Sequence, residues 1–246
     1  MGNGEGVARV MAGYGAHVVL WDVSDAVFAT AGVIRSEGRE ATARKVDVRN
    51  FDECKAAAAE AVANLGRIDV LCNNAGVHRL VPFLEMSDEV RDYQFDVNIK
   101  GVWNCTKAIL PNMRQNKYGR IIIMSSVTGP MVANEGETAY ATTKAAVWGF
   151  TKALALEVVK DNITVNAICP GMIRTPMVEN AVRELSPDNP GPILDMIART
   201  IPMGRMGNIL EIGELAAFLA SDESTYITGT QVVIDGGSML PETVLP

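Results

Sequence analysis

The sequence predicts one α/β domain with a doubly wound, mostly parallel sheet that is covered by helices on both faces. Short β-branched segments alternate with longer helical segments along the chain, and this alternation is typical of βαβ units. Most strand segments are rich in apolar residues, as expected where both faces of a sheet are buried. The 246 residues contain no repeat and no break in composition, so we expect a single domain over residues 1–246.

The predicted elements alternate in order along the chain. Strands are predicted where β-branched and apolar residues cluster, at residues 18–21, 41–46, 68–72, 120–124, 164–168 and 231–234. Helices are predicted where apolar residues recur with helical spacing, at residues 26–36, 51–65, 88–116, 139–159 and 209–220. Residues 186–192 contain three prolines and one glycine, which favour a loop.

The start of the chain differs from that of a usual nucleotide-binding α/β domain, which opens with a strand, a glycine-rich turn and a helix. Gly2, Gly4 and Gly6 resemble the end of such a turn, and a helical pattern follows from Val7 to about Gly13. We therefore expect the first strand of the sheet to be absent. Its neighbours would be left with unpaired backbone groups, each costing on the order of 1–3 kcal/mol. Three outcomes remain open: another segment fills the gap, the sheet splits, or the neighbouring strands close up.

Composition excludes several classes of protein. The net charge of −7, without a basic stripe, disfavours binding to nucleic acid or to anionic membranes. No apolar run approaches membrane-spanning length and no signal-peptide core is visible, so we expect a cytoplasmic protein. With only His17 and His78, neither a metal site nor a Ser-His-Asp triad is expected. Four cysteines lack the spacing of a metal site and are expected to be free thiols: Cys54, Cys72, Cys105 and Cys169.

Tyr140 and Lys144 are spaced four residues apart, which places them on one face of a predicted helix. A tyrosine acts as a general acid and base only if its pKa falls from about 10 toward neutrality. An ammonium at ~4 Å is worth on the order of 4 kcal/mol at an effective dielectric of about 20, so a lysine together with a second positive charge could supply the change. Taken alone the pattern is weak, because such pairs are common on the exposed face of amphipathic helices.

Two further segments follow predicted strands, where an α/β sheet places its ligand crevice: Asn73-Asn74-Ala75-Gly76 and Pro170-Gly171. As bare turns they would be unremarkable. Asp22 follows the first predicted strand, eighteen residues after Gly4. An acid at this offset can accept the ribose hydroxyl of an adenine dinucleotide, although it could also start a helix.

The remaining polar candidates are Ser125, Ser126 and Asn98. A serine hydroxyl at the end of the fourth predicted strand could polarise a substrate carbonyl, or it could cap a turn. Asn98 lies within a long helical pattern although asparagine is a modest helix former, so its presence there calls for a specific structural or functional role. It could hold a water molecule near Lys144, or it could cap a kink.

Together these residues resemble the short-chain dehydrogenase/reductase family over nearly the whole chain. Six features carry the resemblance: residues 73–76, Asn98, Ser126, the Tyr140/Lys144 pair, Pro170-Gly171 and the closing Ile234-Asp235-Gly236-Gly237. Within the family the chain is most similar to the UcpA-like oxidoreductases, through residues 98–104, 136–140 and 215–224. The resemblance implies a Rossmann-like fold.

The resemblance also implies the catalytic roles. Tyr140 would exchange a proton with the substrate oxygen, and Lys144 would lower the pKa of Tyr140 and hold the nicotinamide ribose. Ser126 would hydrogen-bond the substrate oxygen; it is preferred to Ser125 because it matches the family's Ser-x-x-Gly pattern. Asn98 would anchor a water molecule in a proton relay.

The implied cofactor is NAD, with NADP disfavoured because Asp22 would repel a 2′-phosphate. The residues implied to bind it are Gly2, Gly4, Asp22, Asp47, Val48, Asn74, Ala75, Gly76, Tyr140, Lys144, Pro170, Gly171, Ile173 and Thr175. The incomplete glycine-rich turn would weaken the grip on the pyrophosphate. Residues 177–206 would form the substrate lid, and five residues predict a fairly apolar pocket: Val127, Pro130, Met131, Met172 and Met177.

The predicted function is an NAD(P)-dependent dehydrogenase or carbonyl reductase that acts without metal on a small-molecule alcohol, ketone or aldehyde. The alternative is a catalytically impaired member that serves as a scaffold or binds cofactor weakly. A sugar-nucleotide epimerase of related fold is disfavoured by the short substrate segment. A homotetramer is expected, through the helices at residues 102–113 and 145–156. Their apolar faces exceed what one sheet face needs: Val102, Ile109, Met113, Val147, Phe150 and Leu154.

Overall fold

The strands and helices alternate as the sequence predicts. The computed structural model describes residues 2–241. Its strands are β1 (Val18–Asp22), β2 (Ala41–Lys45), β3 (Val70–Asn73), β4 (Gly119–Met124), β5 (Ile163–Pro170) and β6 (Gln231–Ile234). Its α-helices are α1 (Asn3–Gly13), α2 (Ala26–Ser36), α3 (Phe51–Leu65), α4 (Asp88–Phe95), α5 (Gly101–Asn116), α6 (Thr138–Val158), α7 (Pro176–Leu185), α8 (Gly191–Arg199) and α9 (Ile209–Ala220).

These strands form two parallel sheets. β1 pairs with β2, while β3, β4, β5 and β6 pair in that order. The prediction of a doubly wound α/β fold is confirmed. Of the three outcomes left open for the missing first strand, the structure adopts the split sheet. Within residues 2–241, β1 pairs with β2 alone and β3 with β4 alone, so each of these two strands has one unpaired edge.

Alternate residues of β4 enter two different parts of the core, which is why helices cover both faces of the larger sheet. Ile121 and Ile123 pack in a cluster with residues of α3, α5 and α6. Ile122 and Met124 pack in a second cluster with residues of α1 and α9. A third, smaller cluster joins α1 and α2 to β2 through alanines and Ile34. Helix α1 therefore contacts both sheets.

The first helix begins earlier than the sequence predicts. The helix starts at Asn3, so Gly4 and Gly6 lie inside α1 and only Gly2 precedes it, with a φ of 69°. Gly6 is a glycine because α1 and α9 pack closely at this point. A Cβ atom at Gly6 would collide with the Ile209 carbonyl oxygen, so glycine is needed there for helix contact and not for a turn.

Two other predictions need correction at their boundaries. The helix predicted at residues 88–116 is interrupted by a π-helical turn at Asp96–Lys100. The loop predicted at residues 186–192 ends at Pro190, because α8 begins at Gly191. A proline in the first turn, here Pro192, suits a helix start because its missing N–H would have no partner within the helix.

The apolar helix faces that suggested subunit contacts serve the monomer instead. Five of the six residues are buried and the sixth, Phe150, packs against the same cluster: Val102, Ile109, Met113, Val147 and Leu154. They pack against β4 and also against α3. The sequence alone did not show that a second helix would cover part of this apolar surface. The exposed apolar residues on α5 and α6 are others, among them Trp103 and Leu156.

Candidate active site

The candidate site lies at the edge of the larger sheet where its parallel strands end. β3 ends at Asn73, β4 at Met124 and β5 at Pro170. Because neighbouring parallel strands end on the same edge, residues 74–76, 125–126 and 171 follow one another across that edge. The structure thus brings together segments that are far apart in the sequence.

Helix α6 places Lys144 and Tyr140 over this edge. The Lys144 side chain is buried and its Nζ donates a hydrogen bond to the Met124 carbonyl oxygen at 2.7 Å. The same Nζ lies 5.6 Å from the centre of the Tyr140 ring. A Cβ atom at Gly76 would lie 3.5 Å from Lys144 Nζ, so the loop after β3 reaches the lysine as well.

Burial dominates the electrostatics of both groups. It lowers the pKa of Lys144 to about 8, because an ammonium is disfavoured away from water. It raises the pKa of Tyr140, while the interaction with Ser126 lowers it and the charge of Glu137 raises it. The protein groups alone therefore do not produce the expected fall in the pKa of Tyr140, because burial of the phenol outweighs the interaction with Ser126.

The two serines after β4 have different environments. Ser125 is buried and its hydroxyl donates to the Lys144 carbonyl oxygen at 3.0 Å, which ties β4 to α6. Ser126 Oγ accepts from the Thr128 N–H at 3.1 Å, and its side chain is near enough to Tyr140 to lower the pKa of the phenol. The geometry brings Ser126, and not Ser125, to the phenol.

Asn98 lies in the π-helical turn and is buried. Its Oδ1 accepts from the Val77 N–H at 2.8 Å. Its Nδ2 donates to the Val77 carbonyl oxygen at 2.9 Å and to Thr143 Oγ1 at 3.0 Å. These bonds fix the loop after β3 against α6, so the side chain holds the walls of the site together.

The N-terminus of α1 lies against two other parts of the site. A Cβ atom at Gly4 would lie 2.5 Å from Asn74 Nδ2, and one at Gly2 would lie 4.0 Å from Thr175 Cγ2. The first-turn N–H groups of a helix are unpaired within it and attract anions. Gly2 and Gly4 thus place a potential phosphate-binding group beside Asn74 and Thr175.

The acidic candidates lie at the ends of the smaller sheet. Asp22 ends β1, is exposed, and accepts from the Ser24 N–H at 2.9 Å. Asp47 follows β2, and the bidentate Arg49 guanidinium lowers the pKa of its carboxyl group. Val48 packs on Gly101, and its carbonyl oxygen accepts from Asn104 Nδ2 at 2.8 Å.

The segment after β5 forms another wall. Pro170 ends the strand, and Gly171 lies so close to the last turn that a Cβ atom would be 2.7 Å from that of Asp235. Ile173 is buried in the second core cluster, and Thr175 caps α7. Of the pocket candidates, Val127 is buried, Pro130 and Met131 are half-buried and Met172 is exposed; the Met177 side chain lies outside the described part.

Two residues that sequence reasoning did not assign to the site lie beside Tyr140. The His78 ring packs edge-on against the Tyr140 ring, with centres 4.6 Å apart and planes at 75°. His78 Nε2 is 2.9 Å from Glu137 Oε1. The available signal was the position of His78, one of only two histidines, directly after the loop at residues 73–76.

Within residues 2–241, no cluster of three or more histidine, cysteine, aspartate or glutamate side chains could hold a metal ion. In the same range, no helix combines the length and apolar character needed to cross a membrane.

Comparisons with known proteins agree with one another. A family model described as enoyl-(acyl carrier protein) reductase matches residues 1–239. The chain is 57% identical over 243 residues to oxidoreductase UcpA of Salmonella typhimurium, covering 99% of this chain and 92% of the relative. It is 38% identical over 244 residues to the 3-oxoacyl-[acyl-carrier-protein] reductase FabG of Thermotoga maritima, covering 97% and 94%. The crystal structure of levodione reductase superposes with a TM-score of 0.91 at 32% identity, covering 97% and 93%.

Proposed function

We propose a function from the premise that this chain belongs to the short-chain dehydrogenase/reductase family and is an oxidoreductase of the UcpA-like group. It transfers a hydride between a nicotinamide cofactor and the carbon of a small alcohol, ketone or aldehyde. Tyr140 is the general acid and base. The observation that carries the proposal is the convergence of Tyr140, Ser126 and Lys144 at the carboxyl edge of the larger sheet.

The residues at this edge fit a dinucleotide. The N-terminus of α1 offers backbone N–H groups to a phosphate, and the lack of a side chain at Gly4 lets the Asn74 amide approach this backbone closely. Asn74, Ala75 and Gly76 follow β3 beside the lysine, and Thr175 lies beside Gly2. When bound, the cofactor supplies the hydride and a positive charge on its oxidised ring.

The protein groups then have distinct tasks. The Ser126 hydroxyl, which accepts from the Thr128 N–H, keeps its own proton to donate to the substrate oxygen. The Tyr140 Oη atom gives its proton to that oxygen in reduction and receives it in oxidation. Lys144, held by the Met124 carbonyl oxygen, places its Nζ beside the ring and the loop at Gly76. Asn98 keeps that loop in place.

NAD is the proposed cofactor, and NADP is the less favoured one. Asp22 is exposed at the end of β1, where its carboxylate would accept a ribose hydroxyl and repel a 2′-phosphate. Its register partner on β2 is Lys45, whose Nζ lies 3.2 Å from Asp25 Oδ1.

A titration with each reduced dinucleotide, followed by nicotinamide fluorescence, tests the proposal. Saturable binding, together with oxidation of the bound cofactor by some member of a panel of ketones and aldehydes, is expected. Absence of binding at millimolar dinucleotide would overturn it.

The same titration decides a second candidate function, a scaffold that binds cofactor weakly. The split sheet favours this candidate, because β1 and β3 each have an unpaired edge within residues 2–241. Both strands are near the residues proposed to bind the dinucleotide. Binding without turnover across the whole panel would support the scaffold.

We also expect a homotetramer, carried by exposed residues and not by those first predicted. Trp103 on α5 is 57% exposed and Leu156 on α6 is 81% exposed, and the Trp103 and Phe150 rings contact each other at a tilt of 56°, with centres 5.4 Å apart. Exposed apolar side chains on these two helices are where we expect the subunits to associate. Light scattering should give a tetramer at micromolar concentration, and Trp103→Glu should shift it toward smaller species. A monomeric wild type would contradict this expectation.

A further inference from the structure

A histidine from the loop after β3 and a glutamate directly before α6 lie beside the proposed general acid, and both are held by hydrogen bonds or ring contacts. The His78 ring lies edge-on to the Tyr140 ring at 4.6 Å, and its Nε2 is 2.9 Å from Glu137 Oε1. The other carboxylate oxygen of Glu137 accepts from Asn134 Nδ2 at 2.7 Å. Both oxygens of this carboxylate are therefore fixed by side chains.

Backbone contacts hold the same loop in place on both sides. The Val77 N–H and carbonyl oxygen bind the Asn98 amide. The Arg79 N–H donates to Gln94 Oε1 at 3.0 Å, and the Val81 N–H donates to the Gly136 carbonyl oxygen at 3.0 Å. His78 is thus flanked by fixed backbone, which is what a residue that orients another side chain requires.

We propose that His78 and Glu137 are positioning residues that orient the Tyr140 phenol and set the charge around it. The proposal rests on the proposed function, in which Tyr140 carries the proton. His78 limits the rotation of the phenol through ring contact and fixes the Glu137 carboxylate through its hydrogen bond. Glu137 precedes the first residue of α6, where the helix N-terminus favours a carboxylate.

The direction of the charge effect follows from the groups that face the phenol. From α6 and the residue before it these are Lys144 and Glu137, and from the loop after β3 it is His78. Cys169 faces the lysine from β5. The negative charge of Glu137 raises the pKa of Tyr140, so its removal should favour the phenolate.

The first experiment reads the phenol directly, without turnover. Wild type labelled with 13Cζ-tyrosine is titrated by NMR, and the Tyr140 resonance is assigned by its loss in Tyr140→Phe. Glu137→Gln should lower the midpoint of this resonance. The matched control is Glu135→Gln, which removes an exposed carboxylate from the same loop and should leave the midpoint unchanged. An unchanged midpoint in Glu137→Gln would overturn the charge part of the proposal.

The second experiment separates ring packing from hydrogen bonding. His78→Ala should lower kcat on the order of tenfold, since a misplaced phenol is slow, while the dissociation constant for NADH stays unchanged. His78→Phe retains the ring and should recover most of kcat. Equal kcat in His78→Ala and wild type would overturn the orienting role. Because the NMR titration needs no turnover, loss of the proposed function would appear separately, as full activity in Tyr140→Phe.

Discussion

The two sheets of this molecule carry different parts of the site and are buried to different degrees. Every residue of β4 and β5, in the four-stranded sheet, is buried. No residue of β1, in the two-stranded sheet, is buried. The larger sheet supports the groups proposed for proton transfer, and the smaller sheet supports Asp22 and the Asp47-Val48 segment proposed for the nucleotide.

In the proposed function the proton-transfer groups therefore depend on the larger sheet, whereas the dinucleotide would contact residues of both sheets. Ser125, Lys144 and Asn98 tie α6 to β4 and to the loop after β3 through buried hydrogen bonds. The smaller sheet instead joins the rest of the core mainly through α1 and through partly buried side chains such as Trp21. We therefore expect substitutions in the first region to change turnover, and changes near the second to alter binding.

The largest expected effect tests the catalytic region alone. Tyr140→Phe should lower kcat on the order of 10³-fold, because it removes only the oxygen that carries the proton. The unfolding midpoint in urea should stay close to that of wild type, since the ring contact with His78 is kept. Lys144→Ala should be nearly inactive as well.

The matched control for that prediction is Tyr226→Phe, which removes the same atom from a fully exposed tyrosine and should retain wild-type kcat. If the activity of Tyr140→Phe stays within tenfold of that of wild type, a residue other than Tyr140 is the general acid.

The second prediction concerns the cost of burying Lys144. Its pKa of about 8 lies below its unfolded value, so between these pH values the unfolded state binds more protons and stability rises with pH. Below about pH 8 the buried ammonium destabilises the fold by on the order of 3 kcal/mol. Lys144→Met should therefore be more stable than wild type at pH 7, and this advantage should shrink as the pH rises to about 10.5. Urea unfolding at both pH values measures it; a pH-independent difference would contradict it.

The third prediction concerns the effect of an added N-terminal strand on dinucleotide binding. An apolar strand and a Thr-Gly-Ala-type turn are fused before Gly2, which offers a pairing partner to the unpaired edges of β1 and β3. Affinity for NADH should improve by about tenfold or more, because the added turn supplies further backbone N–H groups at the helix N-terminus. kcat should change little. The control carries a Gly/Ser-rich extension of equal length. Equal affinity in both extended proteins would show that the segment does not position the pyrophosphate.

The order of the elements follows from the sequence because strands and helices depend on local pattern, and their alternation predicted the doubly wound α/β fold. The site residues were named through the resemblance, and the structure places Tyr140, Ser126 and Lys144 near one edge of the larger sheet. The burial of Val102, Ile109 and Val147 did not follow, because a helix pattern does not show how many layers pack against it. The split of the sheet was left open, since pairing depends on neighbours that are distant in sequence.

The sequence also did not predict which side chains contact each other. His78 contacts Tyr140 in a loop that Asn98 and Gln94 hold through the backbone of Val77 and Arg79. Contacts between residues so far apart in sequence produce no repeating pattern that a sequence analysis could detect. The π-helical turn that carries Asn98 likewise reads in the sequence as ordinary helix.

The smallest expected effect lies at the exposed end of β1. Asp22→Asn keeps an oxygen that can accept from the Ser24 N–H and removes only the charge. NADH should be preferred by wild type, and the substitution should raise kcat/KM for NADPH relative to NADH by about three- to tenfold, since an exposed charge contributes about 0.2–1 kcal/mol or slightly more. The gain should fall as salt is added, because solvent ions screen this position. Asp52→Asn, an equal charge change at the exposed start of α3, should leave the ratio unaltered. A wild type that prefers NADPH, or a ratio insensitive to Asp22→Asn, would remove this residue from the cofactor site and leave the smaller sheet with no role in choosing between the two dinucleotides.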